Sequence, residues 1–186
     1  MSSFRFTTGK CRLSYVHLFQ PHADLSGNEK YSVSLIIPKS DEKNVDRYKA
    51  LMDQMMKDAE IKNKLKGNGS VHMPLRDGDL ERSNDAAYEN SWYINAKSNP
   101  DHKPRVYIIE NGKPVEALDP NDIYSGCYAQ AVLNFYAYNK GGNKGIGCSV
   151  AAVFKVADGQ PLTGSSVSGD DFDASLLGED VDKFFN

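Results

Sequence analysis

No apolar run in this chain of 186 residues approaches the ~18 that a membrane-spanning helix requires. The opening residues lack the apolar core and small-residue cleavage site of a signal peptide, so a soluble, cytoplasmic protein without membrane contact is expected. Cysteine is scarce: Cys11, Cys127 and Cys148 are odd in number and far apart, which fits a reduced compartment better than a disulfide framework. No cysteine pair has CxxC spacing, His17 and His22 are five apart, and His72 and His102 stand alone, so neither metal nor cofactor is expected. The glycine-rich stretch 139–145 has no GK[ST] ending and no helix pattern after it, which argues against nucleotide hydrolysis and for a flexible basic hairpin loop. No constellation of catalytic residues stands out, and a non-enzyme is the expectation.

What the chain does have is a divided charge. Residues 158–186 carry seven acidic side chains against Lys183 alone, whereas residues 1–157 hold 21 Lys and Arg against 18 acidic residues. The overall net charge of −3 therefore conceals a mildly basic body. Acidic blocks rich in Gly and Ser rarely fold, and an acidic tail on a basic domain recurs in proteins that handle nucleic acid, where the tail imitates the bound polyanion. The expected organisation is one domain over residues 1–160 and an acidic, disordered tail over 161–186. A tail that merely solubilises is the plainer alternative.

Periodicity divides the body into strands and one main helix. Cys11, Leu13 and Tyr15 share a face, as do Tyr31, Val33, Leu35 and Ile37, so residues 9–16 and 29–37 read as half-buried strands. Ser40-Asp41 opens a helix whose apolar positions Val45, Tyr48, Met52, Met55 and Ala59 step by three and four until Gly67-Asn68-Gly69. Arg76-Asp77-Gly78-Asp79 has the oxygens of a divalent-cation loop without the spacing, and reads better as a capped turn. Ile146, Cys148, Val150, Ala152 and Phe154 alternate as an inward strand, which makes Cys148 a core residue.

Three further strands share one kind of outer surface. Ala129, Ala131, Leu133, Phe135 and Ala137 form an apolar face, leaving Tyr128, Gln130, Val132, Asn134, Tyr136 and Tyr138 on the other side. Trp92, Ile94 and Ala96 turn inward against Tyr93, Asn95 and Lys97, and Val106 and Ile108 against Arg105 and Tyr107. Single-stranded nucleic acid fits such a face: bases stack on aromatic rings, amides reach base edges, and Lys and Arg follow phosphates. Tyrosines also favour exposed strands for their own sake. The candidate DNA-contacting residues are thus Tyr93, Tyr107, Tyr128, Tyr136 and Tyr138 for stacking, Asn95, Gln130 and Asn134 for polar contacts, and Lys10, Arg12, Lys30, Lys97, Arg105, Lys140 and Lys144 for phosphates. A protein-interaction or scaffold module would use the same anchors, and tyrosine-rich strand edges would also serve to close a homodimer. Five or more strands with one helix among the early ones describe a mainly β protein, a β-barrel of the OB-fold type with extensions, rather than a doubly wound sheet.

Residues 9–19 (GKCRLSYVHLF), 30–39 (KYSVSLIIPK), 74–79 (PLRDGD), 124–128 (YSGCY) and 135–139 (FYAYN) resemble, in that order, a family of tailed-bacteriophage proteins first described as a domain of unknown function. That family is similar to OB-fold single-stranded DNA-binding proteins, and the resemblance spans most of residues 4–164. It implies protection of single strands with little sequence preference during phage DNA replication, recombination or repair, in the cytoplasm of a bacterial host. It also implies a tail that competes with DNA and docks replication or recombination partners. Asp170, Asp171, Phe172 and Asp173, then Glu179, Asp180, Asp182, Phe184 and Phe185, look similar to such a tail, although Lys183 interrupts it and Asn186, not an aromatic, ends the chain.

Overall fold

A computed structural model describes residues 4–162. The elements are β1 (Phe4–Thr7), β2 (Cys11–Ala23), β3 (Glu29–Pro38), α1 (Glu42–Lys57), α2 (Ala59–Lys64), β4 (Arg76–Asp77), α3 (Gly78–Glu81), β5 (Ser91–Ser98), β6 (Arg105–Glu110), β7 (Lys113–Glu116), β8 (Tyr128–Lys140) and β9 (Asn143–Ala157). Hydrogen-bonded neighbours run β4-β5-β3-β2-β8-β9-β6-β7, with β1 paired to β8. Five of these strands, β5-β3-β2-β8-β9, wrap around one core. The wrap closes at Ser98, whose Oγ donates to Val150 O (2.8 Å) and accepts from Val150 N (3.2 Å). This is a mainly β protein with the OB-type barrel that the strand pattern predicts.

Alternation supplies the core. Leu13, Leu35, Ile94, Leu133 and Phe135 are fully buried, and each such side chain contributes roughly 1.5–3 kcal/mol by leaving water. α1 covers the barrel with Val45, Tyr48, Met52 and Met55, and the Tyr48 ring meets Phe6 of β1 at 4.5 Å. Asp41 caps α1 by accepting from Asn44 N at 3.3 Å. The single helix expected to run as far as residue 66 is instead two. At Asp58 the backbone turns extended (ψ 134°), and its carboxylate accepts from Glu60 N and Ile61 N to start α2.

Two expectations for β9 part at a bulge. Cys148 is buried, and burial pushes its thiol pKa up. Phe154, expected inside, faces outward: the β8–β9 register passes from Leu133↔Val150 to Val132↔Ala152, so one extra residue reverses the alternation and sends Val153 into the core.

Candidate nucleic-acid interface

At the seam between β5 and β9 the outer surface forms a hollow of about 820 Å³. Its floor comes from β8 and β9, with Asn134 and Tyr136 beside Ser149 and Ala151. Arg5 enters from β1, where pairing sets it opposite Asn134. Lys30 of β3 and Lys97 of β5 line it together with His102, Lys103, Arg105 and Tyr107, and the Lys30 ammonium donates to Asn99 Oδ1. Five permanent cations therefore converge, and among the described residues none lining the hollow is acidic. The Tyr107 hydroxyl, with Glu116 behind it, holds the Arg105 guanidinium above its usual range, so its charge is secure.

Aromatic surface lies between the charges. Tyr107 stacks on its cross-strand neighbour Phe154 with centroids 4.9 Å apart and planes at 10°, and both half-buried rings line the hollow. Tyr136 is 36% exposed. It also borders an adjoining hollow of about 750 Å³, as does Lys97, so the two form one continuous groove. Asn95, Tyr138, His72 and Arg76 line the second part, where Glu81 pairs with Arg76 and weakens the positive field.

The structure gathers Lys30, Asn95, Lys97, Arg105, Tyr107, Asn134, Tyr136 and Tyr138 along this groove. Lys140 is exposed at the tip of the β8–β9 hairpin. Tyr93 is elsewhere: it is 1% exposed, packed edge-on against Tyr88 at 5.1 Å and covered by Arg76 and Arg82, so it has no open face for a base. Lys144 is likewise withdrawn, 2% exposed with its ammonium donating to Gly67 O at 2.5 Å. The expectation of a phosphate contact there fails because the 66–75 loop folds over the β9 edge. Gln130 donates to Thr8 O at 3.0 Å and ties β8 to the β1–β2 corner.

Tyr128, Lys10 and Arg12 form a separate patch. Lys10 and Arg12 lie 5.4 and 5.8 Å from the Tyr128 ring, and eight strand residues, up to about 26 Å, separate it from Tyr136. Arg12 is further engaged with backbone, donating to Gly126 O (3.2 Å) and Gln160 O (2.7 Å). Together with the bond from Leu162 N to Ser125 O (2.9 Å), this holds the chain against the barrel through residue 162. The tail residues Asp170 to Phe185 named above lie outside the described residues.

Arg5, Asn99, His102, Lys103 and Phe154 also line the groove, beyond the residues expected from the sequence. Arg5 was legible, because Phe4-Arg5-Phe6-Thr7 alternates. Lys103 and His102 sit in a loop where no periodicity operates, and Phe154 was hidden by the bulge.

Barrel and groove together define a class: an OB-fold protein whose open face complements a polyanion. The chain belongs to the family of the single-stranded DNA-binding protein of Enterobacter phage Enc34, whose model matches residues 4–184. A relative, putative protein p50 of Acyrthosiphon pisum secondary endosymbiont phage 1, is 32% identical over 179 residues, 91% of this chain and 92% of its own length. The Enc34 protein solved in complex with single-stranded DNA superposes with a TM-score of 0.70 at 26% identity, covering 86% of this chain and 89% of that one. The single-stranded DNA-binding protein gp2.5 of bacteriophage T7 gives 0.57 at 17% identity over 91% and 93%, a likeness of fold. Among the described residues no helix is long and apolar enough to cross a membrane.

Proposed function

We propose that this protein binds and protects single-stranded DNA, with little sequence preference and without catalysis, during replication, recombination or repair of phage DNA in the host cytoplasm. One observation carries the reading: a groove lined together by Arg5, Lys30, Lys97, Lys103 and Arg105 and by the part-exposed rings of Tyr136, Tyr107 and Phe154. Backbone phosphates follow the cations and unpaired bases lie on the rings, while a duplex hides its base faces. Family membership and the Enc34 complex support the same ligand. In this reading the binding domain covers residues 1–160, and residues 161–186 form a tail that competes with DNA and docks replication or recombination proteins.

Charge removal tests the groove. Five cations that each neutralise a phosphate give a slope of log K against log salt of about −3.5 for a single strand, and each Lys or Arg changed to Ala lowers its magnitude by about 0.7. Lys103→Ala and Arg5→Ala are therefore expected to weaken binding at low salt and flatten the slope, whereas Lys144→Ala is expected to leave the slope unchanged. Slopes unaffected by the first two would remove the groove as the phosphate path.

A further inference from the structure

We infer that Gly147 is a positioning residue for base stacking: lacking a side chain, it lets the Tyr136 ring lie flat on the β9 backbone, with one face sealed and the other turned to the groove. The inference rests on the proposed groove and adds how its central ring is set. Tyr136 and Gly147 are directly paired across β8 and β9. A Cβ at Gly147 would stand 2.6 Å from Tyr136 Cζ, 2.7 Å from Cε2 and 2.9 Å from the hydroxyl. Ordinary carbon contacts are about 3.5–4.0 Å, so one methyl group would lift the ring by roughly 1 Å. Tyr136 lines both hollows, and a ring lifted into them would occupy the space of a stacked base.

The neighbouring glycine shows why this position is particular. Gly145 stands opposite Tyr138, but a Cβ there would meet His72 O at 2.4 Å, a backbone atom that accepts from Ile146 N at 2.9 Å. That glycine serves the chain path of the 66–75 loop. At Gly147 the three nearest atoms all belong to the far end of one side chain, which can swing away, and its backbone is not in the left-handed region. Alanine is therefore compatible with the fold at 147 and incompatible with the resting pose of Tyr136. Glycine beneath a cross-strand aromatic ring is a known device of sheets; here the ring it seats also borders both parts of the groove.

The test is a double-mutant cycle on the full-length protein with a labelled 30-nucleotide single strand, alongside a strand of equal charge carrying abasic sites. Tyr136→Ala is expected to weaken binding to the normal strand by about 5- to 150-fold. Gly147→Ala should lose a substantial part of that factor on the normal strand, little on the abasic one, and nothing further when Tyr136 is already Ala. Gly147→Ala binding as tightly as the parent while Tyr136→Ala is weakened would overturn the inference and leave the groove reading standing. Full additivity of the two losses would also overturn it. Loss of neither factor, together with charge variants that leave the salt slope unchanged, would instead sink the groove itself. Should Gly147→Ala prove too unstable to assay, recovery of its melting temperature in the double variant supports the ring contact, and no recovery contradicts it.

Discussion

At the scale of single residues, the tyrosines divide into those that line the groove, Tyr107, Tyr136 and Tyr138, and those packed out of solvent, such as Tyr93, and substitution separates them. Tyr107→Ala removes half of the stack with Phe154 and is expected to weaken single-strand binding by ~1–3 kcal/mol with the fold intact, read by anisotropy and circular dichroism. Tyr93→Ala should behave in the opposite way. Removing a ring packed against Tyr88 and Ile36 is expected to cost ~3–5 kcal/mol of stability by denaturant titration, with the affinity of the folded fraction little changed. His17 offers a pH test of the β2 arm, where its ring stacks on His22 at 4.3 Å. Burial first, and His22 second, hold His17 below its ordinary pKa. The unfolded chain thus binds that proton more readily, so the stability contribution is full above about pH 6.5 and is lost as pH falls through the lower folded value. His17→Asn is expected to flatten this slope in melting temperature; an unchanged slope would assign it to other groups.

At the scale of elements, caps and bulges decide what periodicity leaves open. Asp58 ends α1 and starts α2 with two carboxylate hydrogen bonds, so Asp58→Ala is expected to lower stability by ~1 kcal/mol, measured by thermal or denaturant unfolding. The aspartates of residues 76–79 act structurally: Asp77 caps α3 through Asp79 N, and Lys39 bridges Asp77 (2.8 Å) and Asp79 (2.6 Å). That outcome follows the capped turn expected from the spacing. The barrel strands were legible because apolar residues recur with a period of two in residues 11–13, 31–37 and 129–137, although in 31–37 Ser34 and Ile36 of the other face are buried as well. The bulge was not, because an extra residue leaves the same residue types in place and only reverses which face they occupy. Tyr93 failed for another reason. Its strand does turn that face outward from the barrel, yet Tyr88 and the 78–90 segment fold over it, and coverage by distant chain has no signature in the strand itself. Lys144 is the same case, taken out of solvent by the loop that reaches it.

At the scale of the whole molecule, charge is separated along the chain and gathered in space. The sheet collects cations from β1, β3, β5, β6 and the loop before β6 into one seam, although in sequence they are scattered from Arg5 to Arg105. Opposing them, the acidic side chains of 170–182 follow a chain that is held to the barrel through residue 162. From that anchor, 24 residues of chain measure at most about 80 Å. A tail that competes for the groove lowers DNA affinity most when screening is weakest, so its removal should matter more at low salt than at high.

The most direct measurement is anisotropy of a labelled 30-nucleotide strand and of its duplex, with the full-length protein and with a chain ending at Gly164, at two salt concentrations. A single-strand groove with a competing tail gives preference for the single strand, affinity that falls with salt, and tighter binding by the shortened chain, most at low salt. Equal binding of strand and duplex, or affinity indifferent to salt, would contradict the claim that this groove is a single-strand DNA site.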